Sequence, residues 1–288
     1  MSDLRPRRSV LYMPAANERA LEKAKTLPAD AIIFDLEDAV APDAKETARP
    51  NAVAAAGSGE YGNRELTIRC NGLDTPWGAD DLRAAATSGA AAVVVPKVGS
   101  VAYVDEVSTI LEAAGAPDTL TIWAMIETPT AIFDVRAIAA HPRVSVLVMG
   151  TNDLARELRA KLVTGRHPLV PHLALALAAA RENGKVILDG VYNDVKDLDG
   201  FRNECVQGAE MGFDGKTLIH PGQVEIANDV WAPTPDEVAH ARKVIAAFDE
   251  AVADGRGVVT VDGRMIENLH VANAQRALAV ADAIAALG

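Results

Sequence analysis

The stretch AIIFDLED, residues 31–38, decides the fold, because it is an apolar, β-branched run that ends in acidic residues. Such a run is typical of a strand that is buried on both faces and turns polar where the chain leaves the sheet. The pattern recurs at spacings of roughly 20–40 residues, with alanine-rich, helix-favouring segments between the runs. Repeated βα units of this number predict a (β/α)₈ TIM barrel, which typically takes about 250 residues. The eight runs begin at Ser9, Ala31, Glu65, Ala91, Thr121, Val144, Lys185 and Met211.

The polar residues that end these runs are the first candidates for chemistry. In a (β/α)₈ barrel the carboxyl ends of the strands open at one mouth, where active sites lie. A helix cap or a turn residue is an equally good interpretation of any single one, but caps do not require Glu, Arg and Lys at strand ends. We therefore expect these residues to converge at the mouth: Asp35, Glu37, Asp38, Arg69, Asn71, Lys97, Glu127, Asn152, Asp153, Asp189, Asn193 and Lys216.

A different pattern begins near residue 231, after the last barrel unit. We predict a barrel over residues 1–230 and a C-terminal lid or oligomerisation segment over residues 231–288. Residues 236–254 and 268–287 each predict a helix. Between them, Asp262-Gly263 is a strong turn signal for a small hairpin.

The composition argues against several classes of protein. The formal net charge is −12 and no basic face offsets it, which argues against general nucleic-acid binding. No apolar run reaches the roughly 18–20 residues that a membrane span needs, and no segment resembles a signal peptide. The two cysteines, Cys70 and Cys205, form no disulfide framework and are expected to be reduced thiols of a cytoplasmic protein.

Glu127 and Asp153, at the ends of the fifth and sixth runs, form the strongest candidate metal site. Adjacent strands lie about 5 Å apart, so both carboxylates could reach one cation. Two carboxylates completed by water and substrate oxygens are a usual arrangement for Mg²⁺. Without a cation the two charges would repel. The alternative is that one of them pairs with Arg69.

The acids of the second run and Arg69 form a second group. Strand alternation predicts Asp35 and Glu37 on one face and Asp38 on the other. Glu37 or Asp38 could orient Arg69 or accept bonds from metal-bound water, and Asp38 equally suits a helix cap. A charged Arg69 inside a buried strand needs a partner. That partner is either a carboxylate, as in a structural salt bridge to Glu37, or an oxygen that gains charge during a reaction.

Basic residues near the N-terminus are the candidates for holding a phosphorylated ligand. Arg8 precedes the first run, Arg19 and Lys23 share one face of the following helix, and Lys97 closes the fourth run. A solvated helix face is the commoner explanation for any one of them, and no glycine-rich phosphate loop is present. The six histidines form no ligand pair, and no Ser–His–Asp or Cys–His arrangement predicts a covalent nucleophile.

An ordered series of sequence blocks covers nearly the whole chain. Through these blocks it resembles the citrate lyase β-subunit-like family of the aldolase/citrate lyase superfamily. The resemblance is to the branch with malyl-CoA and citramalyl-CoA lyases and malyl-CoA thioesterases. Two departures are Ala15, where the family often has Gly, and Asn152, where branches vary. The blocks are RSVLYMPA from Arg8, DLEDAVAPDAK from Asp35, IRCNG from Ile68, VVPKV from Val94, IET from Ile126, GTNDL from Gly150, GFDGKTLIHP from Gly212 and VDGRMIEN from Val261.

The resemblance implies roles for particular residues. Glu127 and Asp153 would bind Mg²⁺, or Mn²⁺ in its place. Asp262 would be the acid–base residue, reaching over the mouth of a neighbouring subunit in a homotrimer or hexamer. Together with the residues singled out above, this gives a predicted catalytic set of Arg69, Asp262, Asp38 and Glu37 and a predicted CoA-binding set of Arg8, Pro14, Asn17, Arg19, Lys23 and Lys97.

The function implied first is Mg²⁺-dependent cleavage of a carbon–carbon bond in a 3-hydroxyacyl-CoA, either malyl-CoA or citramalyl-CoA. The products would be acetyl-CoA and a 2-oxoacid, with Arg69 stabilising an enolate that Asp262 protonates. A (3S)-malyl-CoA thioesterase, which forms malate and CoA, stays open. So do a citrate lyase β subunit acting on an acyl-carrier-bound substrate and a non-catalytic metabolite-binding barrel. The expected ligands are an acyl-CoA thioester and a small 2-oxoacid, without nucleic-acid or membrane partners.

Overall fold

Eight parallel strands close into a barrel in the order in which they follow along the chain, so the (β/α)₈ prediction is confirmed. The structure is a computed structural model and describes residues 4–287. The strands are β1 Ser9–Pro14, β2 Ala31–Asp35, β3 Glu65–Arg69, β4 Ala92–Val95, β5 Thr121–Ile126, β6 Val144–Met149, β7 Val186–Asp189 and β8 Gly215–Leu218.

Alternate side chains of these strands fill the barrel interior, because successive residues of a strand point to opposite faces. The interior core includes Ile33 of β2, Trp123 and Met125 of β5, and Leu188 of β7. Toward the carboxyl ends the inward positions become polar. Asp35, two residues beyond Ile33, is in register with Arg69 of β3. The apolar core therefore supports a polar layer at the mouth.

Helices connect the strands and cover the outside of the barrel. Side chains cap several of them: Asn17, Ser100 and Thr128 each accept a backbone N–H at a helix start. None of the helices within residues 4–287 is both long enough and apolar enough to cross a membrane. The barrel helices are α1 Glu18–Ala24, α2 Lys45–Gly57, α3 Gly78–Ala85, α4 Val101–Ala113, α5 Pro129–Ala140, α6 Thr151–Glu157, α7 Val170–Glu182, α8 Leu198–Met211 and α9 Val224–Val230.

The chain divides into two compact units, Arg7–Val230 and a smaller one made of the residues up to Pro6 and from Trp231 onward. In the smaller unit, the hairpin turn places Asp262 at φ 49° and Gly263 at φ 76°, the left-handed pair that a two-residue turn requires. The helix–hairpin–helix prediction is thus confirmed, whereas the role of this unit as a lid stays a prediction. Its elements are α10 Pro235–Ala253, β9 Val259–Val261, β10 Arg264–Ile266 and α11 Asn268–Ala286.

Candidate active site

A cavity of about 330 Å³ opens at the carboxyl ends of the barrel strands. Ligand pockets span roughly 300–1,000 Å³, so this cavity suits a small acyl group rather than a whole coenzyme. One part of its wall is apolar, formed by Met125, Met149, Val191 and Ile219. The predicted polar residues that line it are Asp35, Asp38, Arg69, Glu127, Asn152, Asp153 and Asn193.

Arg69 is the basic residue of the cavity lining, and all of its guanidinium nitrogens contact carboxylates. Nε and Nη2 donate to the two carboxylate oxygens of Asp35, each at 2.6 Å. Nη1 lies 2.7 Å from Glu37 and 3.7 Å from Asp38. The Tyr12 ring packs against the guanidinium face, with 4.6 Å between Cζ of Arg69 and the ring centroid. The salt bridge to Glu37 is present, and the fork on Asp35 is an additional anchor.

The acids at the end of β2 do not follow strand alternation. The Asp35 carboxylate accepts the N–H groups of Glu37 at 2.9 Å and Ala39 at 3.1 Å, so the chain turns directly after the strand. Because of this turn, Asp35, Glu37 and Asp38 all lie against Arg69, and the expected separation of Asp38 from the other two is wrong. Burial raises the pKa of Glu37 to about 7, although Arg69 lowers it.

Glu127, which follows β5, is almost completely buried. Its Oε1 accepts the backbone N–H of Lys97 at 2.8 Å, and Lys97 has a left-handed φ of 51°. A Cβ built on Gly150 would lie 2.1 Å from Oε2 of Glu127, so the carboxylate occupies space that any other residue at position 150 would fill. Burial raises the pKa of Glu127 to about 8, and the negative charge of Glu37 adds to the shift.

Asp153 lies in the first turn of α6 and lines the same cavity as Glu127. Its Oδ1 is 2.6 Å from Nη2 of Arg156, one turn further along the helix. In the described part of the chain, the ion pairs of Arg69 are with Asp35 and its neighbours and not with Glu127 or Asp153. The alternative pairing that the sequence left open is therefore not formed.

The donors of Glu127 and Asp153 fit a hard divalent cation. Both are oxygen ligands on one cavity, and the charge of Asp153 adds to the raised pKa of Glu127. Across residues 4–287, no three His, Cys, Asp or Glu side chains form a group that could hold a metal ion. Mg²⁺ commonly takes one or two carboxylates and completes its shell with water and substrate oxygens. The two carboxylates would therefore hold the cation together with such ligands.

Two predicted residues lie in the scaffold rather than at the cavity. Arg8 precedes β1 and pairs with Asp30, which precedes β2, at 2.7 Å. Because β1 and β2 are parallel, their amino ends lie opposite the mouth, so the assignment of Arg8 to a CoA site is corrected. Asn71 donates to Asp81 at 2.6 Å and accepts from Lys45 at 2.7 Å, and these bonds fix the loop after β3.

Asp189 and Lys216 were also expected at the mouth, and they point the other way. Leu188 belongs to the interior core and Thr217 lines the cavity, so their sequence neighbours face outward. The two residues pair at 2.9 Å beneath the outer helices. They belong to a group that we name the rear cluster: Asp189, Lys216, Arg166 and Glu204.

The residues that the resemblance assigns to CoA lie around the first and fourth strands. Pro14 ends β1, and Asn17 caps α1 by accepting the Ala20 N–H at 3.1 Å. Arg19 and Lys23 have exposed side chains on α1, and the exposed Lys97 follows β4. Their contact with CoA stays a prediction.

Asp262 lies at the hairpin turn of the smaller unit, where its side chain is half-exposed. Its carboxylate contacts Nζ of Lys243 and lies 3.5 Å from Nδ1 of His240. The hydrogen bond from Lys243 lowers the pKa of Asp262, and the charge of Lys243 acts in the same direction. Asp262 is therefore held as an accessible carboxylate, the form that a base requires.

Some residues of the site carry no clear signal in the sequence. Tyr12 stands inside an apolar run, where an aromatic residue is ordinarily part of the core. Gly150 matters only because Glu127 occupies the space beside it. Asn152 and Asn193 are joined by reciprocal amide hydrogen bonds of 3.0 and 2.8 Å, a pairing that only the folded loops reveal.

Comparison with known proteins agrees with this geometry. The family described as HpcH/HpaI aldolase/citrate lyase matches residues 8–221. A (3S)-malyl-CoA thioesterase of Cereibacter sphaeroides is 51% identical over 98% of this chain and 97% of its own length. The citrate lyase subunit beta of Escherichia coli is 37% identical over 96% and 94%. An L-malyl-CoA/beta-methylmalyl-CoA lyase of Rhodobacter capsulatus is 34% identical over 93% and 92%.

The fold comparison gives a similar result. A solved structure of CitE from Mycobacterium tuberculosis, in complex with magnesium, acetoacetate and coenzyme A, aligns with a TM-score of 0.79 and 28% identity. The alignment covers 97% of this chain and 100% of that one. The predicted resemblance is confirmed, and so is the prediction that the chain is an enzyme.

Proposed function

Because the chain belongs to the HpcH/HpaI aldolase/citrate lyase family, we propose that it is a Mg²⁺-dependent (3S)-malyl-CoA thioesterase that releases malate and free CoA. The observation that carries the proposal is full-length identity of about one half to proteins with that name, against about one third to a malyl-CoA lyase. The lyase reaction, which the sequence suggested first, becomes the second candidate.

The cavity residues supply suitable groups for thioester hydrolysis. A bound Mg²⁺, held by Glu127 and Asp153, would polarise substrate oxygens as a Lewis acid. Arg69 has five N–H donors, and contacts with Asp35 and Glu37 leave some of them for the thioester oxygen as it gains charge. Because its partners fix its plane, Arg69 would meet that oxygen without reorganising.

Asp262 is the proposed acid–base residue, supplied by a neighbouring subunit of a homotrimer or hexamer. Its lowered pKa keeps it ready to accept a proton from the attacking water. The water oxygen would bond to the thioester carbon, the carbon–sulfur bond would break, and the proton would pass from Asp262 to the CoA sulfur.

The second candidate, cleavage of malyl-CoA to glyoxylate and acetyl-CoA, draws on the same groups. The observation that favours it is the apolar wall of Met125, Met149, Val191 and Ile219. A site that excludes water protects an enolate and limits hydrolysis of the thioester. Arg69 would then stabilise the enolate oxygen, and Asp262 would protonate the carbon.

The test is an assay of malyl-CoA with Mg²⁺ in which free thiol and glyoxylate are followed in the same sample. Thiol and malate without glyoxylate support the thioesterase. Glyoxylate and acetyl-CoA without thiol replace it with the lyase. A sample with EDTA and a sample with Mn²⁺ in place of Mg²⁺ test the metal requirement. If neither product forms, both candidates fail, and citramalyl-CoA and acyl-carrier-bound substrates come next.

The supply of Asp262 by a neighbouring subunit has its own test. Glu127→Gln and Asp262→Asn should each be inactive alone. When the two variants are mixed and allowed to exchange subunits, sites that combine an intact Glu127 with a partner's intact Asp262 should regain activity. Random exchange would restore about a quarter of the sites. Mass analysis would confirm that mixed oligomers have formed. If these show no recovery of activity, both residues belong to the site of one chain.

A further inference from the structure

Tyr12 places an unassigned hydroxyl group in the cavity. Its ring lies on the inward face of β1, lines the cavity and packs 4.6 Å from Cζ of Arg69. Among the described residues, the hydroxyl has no hydrogen-bond partner. It is also absent from the unpartnered polar atoms that protein encloses completely, so it is not fully enclosed. The phenol therefore opens toward the space that a ligand would fill.

The charges around Tyr12 make a neutral donor useful there. Asp35, Glu37 and Glu127 all lie close enough to act on the phenol electrostatically. In their ionised form these three groups accept hydrogen bonds and donate none. Burial raises the pKa of the Tyr12 hydroxyl well above its usual value, with Arg69 opposing, so the group keeps its proton. Tyr12 and Arg69 thus present donors side by side at this wall of the cavity.

We propose that Tyr12 is a catalytic residue whose hydroxyl donates a hydrogen bond to the thioester carbonyl oxygen of the substrate, beside Arg69. The ring has a separate effect, because it holds the guanidinium face while Asp35 holds its edge. This role deepens the proposed action on malyl-CoA and rests on it. A donor aimed at an oxygen that gains charge contributes mainly in the transition state.

Substitutions at position 12 separate the hydroxyl from the ring. Tyr12→Phe keeps the ring against Arg69 and should lower kcat about 100-fold with KM nearly unchanged. Tyr12→Leu also removes the ring and should lower kcat further. The matched control is Tyr61→Phe, since Tyr61 donates to the Leu21 carbonyl at 3.1 Å outside the barrel and lines no part of the cavity. Wild-type kcat in Tyr12→Phe would overturn the proposal.

A binding measurement tests the contact without turnover. Acetyl-CoA carries the thioester carbonyl, and free CoA does not. With Mg²⁺ present, acetyl-CoA should produce a tyrosine ultraviolet difference band in the wild type, but not in Tyr12→Phe, and free CoA should produce none. If the wild type shows the band and does not turn over malyl-CoA, the proposed function fails and the contact stands. If it turns over malyl-CoA and the same band persists in Tyr12→Phe, the contact is wrong.

Discussion

Two ion clusters near the carboxyl end of the barrel differ in the balance of their charges. The rear cluster has equal numbers of acids and bases, with Lys216 Nζ 2.9 Å from Asp189 and 2.8 Å from Glu204, and Arg166 Nη1 2.6 Å from Asp189. We name the second cluster the mouth cluster: Asp35, Glu37, Asp38, Arg69, Glu127 and Asp153. Its acids clearly outnumber its bases, even when the exposed Arg156 is counted with Arg69.

The two clusters shift the pKa of their most buried carboxylates in opposite directions. Burial acts to raise the pKa of Asp189, but Lys216 and Arg166 lower it below its ordinary value of 3.8. Burial raises the pKa of Glu127 to about 8, and Glu37 adds to that shift. The rear charges are thus neutralised within the protein. The mouth carboxylates lack such neutralisation, as expected where a cation binds.

Removing a base from the rear cluster should have the largest effect on folding. Lys216→Met leaves the buried Asp189 and the partly buried Glu204 with Arg166 as their one remaining basic partner in the rear cluster, and should lower the free energy of unfolding by roughly 3–5 kcal/mol. Urea denaturation measures the change. Arg202→Met, which breaks the exposed pair with Asp229, should stay close to the wild type. Equal denaturation midpoints for both variants would contradict the structural role of the rear cluster.

Removing a carboxylate from the mouth cluster should affect activity rather than stability: activity should be lost and the fold should be retained. Glu127→Gln should lower Mg²⁺-dependent turnover by about 100-fold or more. The raised pKa means that Glu127 destabilises the metal-free protein progressively as pH rises from its ordinary 4.5 toward about 8. The unfolding temperature of Glu127→Gln should therefore fall less than that of the wild type between about pH 5 and about pH 9. Calorimetry that shows parallel curves would refute this assignment.

A smaller effect is expected where the space beside Glu127 is filled. Gly150→Ala places a Cβ 2.1 Å from Oε2, so the carboxylate must move. Mg²⁺ affinity should fall about 10–100-fold, as for other changes that disturb a ligand's orientation. Calorimetric titration measures the affinity, and Gly257→Ala, whose added methyl meets open space, is the control. Unchanged affinity in Gly150→Ala would mean that Glu127 binds the metal from another position, or not at all.

The smallest effect concerns the proposed base. The hydrogen bond from Lys243 lowers the pKa of Asp262, so Lys243→Met should raise that pKa toward its ordinary value. Because a base acts when deprotonated, the acidic limb of the kcat/KM profile should move to higher pH. Arg242→Met removes a neighbouring positive charge without touching Asp262, and should leave the limb in place. If the pH profiles of both variants are identical, Asp262 is not the residue that transfers the proton.

The strands were predictable because burial on both faces leaves continuous apolar runs. Glu127 and Arg69 could be placed at the mouth for the same reason, since each follows or ends a recognisable run. Asp189 and Lys216 were misplaced because a side chain points into or out of the barrel according to whether its position in the strand is odd or even. A shift of one residue reverses that direction. When a run becomes polar on both faces at its end, its sequence does not show which of the polar residues point into the barrel.

Other errors arose where local hydrogen bonds override the strand. The turn after Asp35 brings Asp38 to Arg69, and alternation does not foresee it. Arg8 was grouped with the residues expected to hold a phosphorylated ligand because of its charge, although it precedes its strand. Tyr12 could not be distinguished from a core aromatic, because its distinguishing contact is with Arg69, 57 residues away along the chain.

Lys97 contacts Glu127 through its peptide N–H, while its side chain is exposed. The two parts of this residue are therefore under separate constraints during evolution. The left-handed backbone favours Gly, Asn or Asp as replacements, and each of them would preserve the N–H that holds the carboxylate. Descendants of this enzyme can accordingly alter the charge of the side chain at position 97 and still keep the backbone N–H that holds Glu127, the carboxylate proposed to bind the metal.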